Sequence, residues 1–138
     1  MKICYPALLI NVAGTGFAVQ FIDITEAHTK GDTLEDALCK AAETLTLALE
    51  SRVADGVVIP APSPDVSGAY YIAPDAKTQS ALLLRHVRGE CTFSELARAL
   101  ETSWPQVKRL EDPTHWPSLK TLDRAARVLG KRLVLNIE

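Results

Sequence analysis

TFSELARALETSWPQVKRLE, residues 92–111, reads as two short helices with a tight break between them. Thr92 stands at a cap position before a first helix from Ser94 to Leu100 or Glu101. Glu95, three residues on, completes a capping box. Leu96, Ala97 and Leu100 fall on one helical face. Glu101-Thr102 is the break. Ser103 caps a second helix, because Ser103-Trp104-Pro105-Gln106 repeats the S-x-x-Q pattern. A proline in the first turn gives up an N–H that has no helical acceptor. Val107 and Leu110 point inward, which leaves Gln106, Lys108 and Arg109 outside. Two helices joined by so short a turn, the second polar and basic on its free side, make a helix-turn-helix.

The flanking residues extend this reading over 74–138. Asp75 opens a helix to about Arg88 with Leu82, Leu83 and Val87 inside, and Gly89 stops it. Residues 112–117 form a loop. Ser118 caps a helix through Leu129, and Gly130 is its left-handed terminator. Residues 132–137 read as a closing strand, with Leu133, Leu135 and Ile137 alternating. No other strand lies in this half, so the segment is expected to pair with its twin in a second protomer and close a dimer.

Residues 1–73 have a different rhythm. CYPALLINV, 4–12, is apolar and β-rich, residues 13–16 turn, and residues 17–22 form a second strand with Phe17, Val19 and Phe21 on one face. A short link, 23–27, leads to a third strand over 27–30. Thr33 caps a helix running to about Arg52, with Leu34, Ala37, Leu38, Ala41, Leu45, Ala48 and Leu49 at helical spacing. Pro60, Pro62 and Pro64 make a stiff connector, and residues 69–73 form a last strand. The expected fold is α+β: a β-β-β-α-β sheet with one helix, then an all-α helix-turn-helix domain ending in a strand.

Charge divides along the same line. Residues 1–74 hold four Lys/Arg against nine Asp/Glu, a net −5, and residues 75–138 hold eleven against eight, a net +3. Two domains with different partners are implied. No apolar run nears the roughly 20 residues that span a bilayer, no signal peptide is read, and Cys4, Cys39 and Cys91 lack metal spacing. A cytoplasmic location with no membrane partner is expected.

Leu96-Ala97, Ser103, Val107, Leu110-Glu111 and Leu122…Ala126…Leu129-Gly130 resemble the Cro/lambda-repressor family of helix-turn-helix domains. Glu101 stands where many members carry glycine, which predicts a slightly different turn. Tyr5-Pro6, Gly16-Phe17, Phe21-x-Asp23, Gly31-Asp-Thr-Leu-Glu-Asp-Ala37 and Pro60-x-Pro62 resemble the HicB antitoxin family. Ile22 and Thr25-Glu26 depart from prolines and a glycine common there. The resemblance implies a degraded ribonuclease H-like first domain that covers a small mRNA-cleaving toxin, HicA, and blocks its catalytic histidine. It implies a second domain that binds the operator and represses the operon. Phe21, Asp23, Ile24, Thr25, Glu26 and His28 are the candidate toxin-facing residues. An acidic domain suits a basic RNA-binding partner by standing in for phosphate.

The start of a recognition helix meets base edges. Arg109 is the candidate for guanine, Lys108 for base or phosphate, and Gln106 for adenine unless its capping role occupies it. Trp104 and Pro105 either meet a thymine methyl, or Trp104 buries itself against Trp116. Thr92, Ser103, His115 and Lys120 complete the candidate DNA surface. Asp23, Glu26, Asp32, Glu35 and Asp36 are the types that two-metal ribonuclease chemistry uses, yet helix starts and surface acids explain them better. No catalytic residue, metal or cofactor is assigned. The expected function is an antitoxin and autorepressor, dimeric or tetrameric. The competing readings are a ligand-sensing one-component regulator and a divalent-metal ribonuclease.

Overall fold

The N-terminal hairpin is built from β1 (Tyr5–Val12) and β2 (Gly16–Phe21), with Ala7 opposite Phe21 and Leu9 opposite Val19. The structure, a computed structural model, describes residues 1–138. They fall into two units, Met1–Ala76 and Lys77–Glu138. In the first unit, β3 (His28–Gly31) pairs with β2 and β4 (Tyr70–Ile72) pairs with β1. The result is an antiparallel sheet of order β3-β2-β1-β4. Side chains alternate across it. Tyr5, Ala7, Val19, Phe21 and Ile72 are buried, whereas Leu8, Ile10 and Val12 are exposed.

α1 (Leu34–Asp55) supplies the other half of this core through Ala37, Ala41, Leu45 and Leu49, one residue per turn. The Thr33 hydroxyl accepts from the Asp36 N–H at 3.0 Å, as the cap reading requires. The helix runs past the expected Arg52. Gly56, at φ 68°, ends it by donating to the Val53 carbonyl while Val57 donates to Arg52. The chain enters α1 through a close approach: a Cβ on Gly31 would lie 2.3 Å from Ala37 N and 2.5 Å from Ala37 Cα. That contact explains why both residues are small.

Residues 57–69 carry no strand. Side chains tether them instead. Tyr5 Oη donates to the Pro60 carbonyl (2.6 Å), Arg52 to the Val58 carbonyl (2.9 Å) and Tyr71 Oη to the Ser63 carbonyl (2.6 Å).

The second unit gathers α2 (Ala76–Arg88), α3 (Phe93–Ala99), α4 (Trp104–Arg109) and α5 (Leu119–Val128). Leu84, Leu96, Ala97, Leu100, Val107, Leu110, Leu122 and Ala125 form its core. Burying a leucine of this kind stabilises by about 1.5–3 kcal/mol. The strand expected over 132–137 does not form within the chain: residues 131–138 have no regular secondary structure. Leu133 packs on the helical core, while Leu135 and Ile137 are 66% and 97% exposed. A strand needs ladder hydrogen bonds, and this unit holds no second strand to supply them.

Candidate functional site

α3 and α4 are set by their caps. Thr92 accepts from Glu95 N–H and Glu95 returns a bond to Thr92 N–H, both 3.1 Å, which closes the capping box. α3 ends with Thr102 N–H donating to Ala97 and Glu101 N–H to Arg98. This paired ending places Glu101 at φ 55°, so the turn adopts the conformation that glycine would favour, and the substitution leaves that conformation in place. Arg124 donates to the Leu100 carbonyl at 3.2 Å and steadies the same turn from α5. Ser103 then accepts from Gln106 N–H at 3.4 Å, with Pro105 in the first turn.

α4 therefore has two sides. Val107 and Leu110 are buried, whereas Trp104, Pro105, Gln106, Lys108 and Arg109 are exposed. Trp104 does not meet Trp116. It packs edge-to-face on Phe93, centroids 6.0 Å apart at 86°, with Lys108 Nζ 5.2 Å from its ring centre. Trp116 instead lies under Lys77 Nζ at 5.8 Å. Beneath Phe93 sits the Arg88 guanidinium, 4.1 Å from the ring centre, ion-paired with Glu111 and bonded to the Cys91 carbonyl. The Glu111 hydrogen bond holds the Arg88 guanidinium above its usual pKa. Thr92 and Lys120 are exposed. His115 is half-buried in a hollow with Thr102, Gln106, Ser118, Thr121 and Arg124. Asp112 fixes the loop before it by accepting from Thr114 N–H (2.9 Å) and Oγ1 (2.7 Å), which lowers its pKa.

In the first unit, the candidate partner-facing residues lie on a tight β2–β3 link. Phe21 and Ile24 are core side chains, 1% and 0% exposed, and support the link from within. Gln20 Nε2 straps it by donating to the Phe21, Thr25 and Ala27 carbonyls. Asp23 accepts from Ser63 Oγ (2.5 Å) and Ser63 N–H (2.8 Å). Glu26 makes a two-point pair with Arg52 (2.6 and 2.7 Å), which pulls its carboxyl from the usual 4.5 down to about 2. Thr25 and His28 are exposed. Asp36 accepts from Asp32 N–H and pairs with Lys40 at 3.1 Å. No three His, Cys, Asp or Glu side chains converge where a metal ion would sit. No helix is long and apolar enough to cross a membrane. Arg52, Ser63, Arg88, Phe93, Glu111 and Arg124 were not legible as site-builders, because each acts on a residue distant in sequence.

A family model described as "HicB_like antitoxin of bacterial toxin-antitoxin system" matches residues 4–77. The chain belongs to the HicB-like antitoxin family. Relatives of this antitoxin extend the match through both units. Antitoxin HicB of Escherichia coli (strain K12) is 33% identical over 133 residues, 95% of this chain and 96% of the relative. Antitoxin HicB 1 of Photorhabdus laumondii is 35% identical over 135 residues, 97% and 86% of the two chains. Antitoxin HicB of Pseudomonas fluorescens is 37% identical over 120 residues, 84% and 82%.

Proposed function

We propose that this HicB-like antitoxin neutralises a small mRNA-cleaving toxin of the HicA kind through its first unit. We further propose that it represses its own operon through α3 and α4, acting as a helix-turn-helix. The observation that carries the second half is the two-sided α4: Val107 and Leu110 lock it to the core, while Trp104, Pro105, Gln106, Lys108 and Arg109 are exposed. Arg109 is assigned to guanine, Lys108 to base or phosphate, and Thr92, Ser103, His115 and Lys120 to the flanking backbone.

For the first half, the exposed Thr25, Glu26 and His28 meet the toxin, held by Phe21, Asp23 and Ile24 from within. The net −5 over residues 1–74 supports attraction to a basic RNA-binding partner. The antiparallel β3-β2-β1 order with α1 packed on it supports a degraded ribonuclease H-like origin. A non-catalytic role is supported by the engagement of Asp23, Glu26 and Asp36 with protein donors. Residues 132–137 pair with a second copy, giving a cytoplasmic dimer or tetramer. A single copy, with few basic contacts, binds weakly.

The test has two arms. The protein is co-expressed with a small HicA-like reading frame sought beside its gene and scored for growth rescue and co-purification. It is also titrated on duplex DNA from upstream of its gene. Arg109→Ala is expected to cost about 1–3 kcal/mol of specific binding. Unchanged affinity discards that assignment, and failure to co-purify discards the antitoxin partner.

A further inference from the structure

We propose that Trp104 reads a thymine 5-methyl group at the start of α4. The inference rests on the DNA-reading role given to α4 and adds the base that its first turn selects. Trp104 is the first residue of the helix, with Ser103 capping before it and Pro105 stiffening after it. Its ring is in contact with Phe93 in an edge-to-face pair and with the Lys108 ammonium over its face. Phe93 is itself held by the Arg88 guanidinium, which Glu111 and the Cys91 carbonyl fix in place. This stack starts at a largely buried ion pair, with Glu111 9% exposed, and ends at an indole that is 45% exposed. A rigid apolar side chain left open at this end of the helix is built to meet an apolar surface.

The major groove presents one apolar group, the 5-methyl of thymine, with the O4 acceptor beside it. An indole matches both, through its ring and its single N–H donor. Guanine and adenine edges are read fully by two hydrogen bonds, of which an indole supplies one and finds no methyl beside it. Cytosine offers an amino donor, which an indole N–H opposes. Lys108 provides the contrast within the same turn, since its charge suits phosphate and carries no preference for the methyl.

The probe is the full-length protein on a duplex from immediately upstream of its gene, with each thymine replaced in turn by deoxyuridine, which lacks only the methyl. We expect one position, and its mate in a symmetric site, to lose about fourfold in affinity, the factor for one buried methyl-sized group. Trp104→Ala, or Trp104→Gln where the alanine variant does not fold, removes the uridine response there and keeps the salt dependence. Sequence-specific binding that ignores every uridine overturns the thymine assignment alone, as does a Trp104 variant with an unchanged response. Binding no tighter than to unrelated duplex of equal length overturns the DNA-reading role itself.

Discussion

Gly31→Ala tests the join between β3 and α1 most sharply. The added Cβ would lie 2.3 Å from Ala37 N, 2.5 Å from Ala37 Cα and 2.9 Å from Ala37 Cβ. Two of these neighbours are backbone atoms in the first turn of a capped helix, so no rotamer change relieves the overlap. Gly31 has no positive φ, so the backbone conformation itself accepts alanine and the effect isolates the clash. Overpacking of this kind costs about 1–3 kcal/mol, and rigid backbone on one side argues for the upper end, about 3. A unit of this size has only about 4–11 kcal/mol of stability in total. The corresponding fall in Tm is about 12–24 °C. Gly14→Ala is the control: its φ is 77°, but no atom lies within 4 Å of the new Cβ, so only the conformational cost of about 1–2 kcal/mol applies. Both variants are followed by urea and thermal unfolding of the full chain with sheet and helix signals. A Gly31→Ala loss no larger than that of Gly14→Ala would refute the packing argument.

Three further outcomes are expected. Glu101→Gly relieves a non-glycine left-handed residue at φ 55° and should raise stability by about 0.5–1 kcal/mol, read as a higher urea midpoint; a lower midpoint would contradict it. Glu26 is depressed to about 2 from 4.5, so its pair with Arg52 stabilises fully above pH 4.5 and is lost as pH falls through about 2. Because the Glu26 side chain is 48% exposed, Glu26→Gln should cost only about 0.5–1 kcal/mol at pH 7 and flatten stability between pH 4.5 and 2. Leu135→Asp should leave the helical core intact and abolish self-association in sedimentation, and a variant that stays dimeric removes residues 132–137 from the interface.

The local signals proved readable. Thr33, Thr92, Ser103 and Ser118 cap the helices they were expected to cap, and Gly130 follows its helix in the left-handed conformation, whereas α1 runs past the expected Arg52 to Gly56. Helical periodicity placed Val107 and Leu110 inward, and alternation placed Val19 and Phe21 on the core face. Each of these depends on residues within four positions of one another, so side-chain type and spacing suffice. The exception among helix ends is Glu101. Its side chain argues against positive φ, yet the α3 ending and the Arg124 bond impose it.

Residue type and spacing alone give the order of elements through α5, the acidic and basic halves, and the outward set on α4. Which polar and aromatic groups find a partner depends on contacts between residues far apart in the chain. Asp23 and Glu26 read as open carboxylates, but Ser63 lies 40 residues from Asp23 and Arg52 lies 26 from Glu26. Trp104 had two equal partners on paper, and folding gave it Phe93. That outcome depends on an Arg88–Glu111 pair separated by 23 residues. The tail at 132–137 alternates as a strand does, yet forms none alone, since a strand exists only through hydrogen bonds to another. Spacing is local and one-dimensional. Satisfaction of charge, donor and ring depends on what the fold brings within a few ångströms, and that is where the candidate sites acquire their geometry.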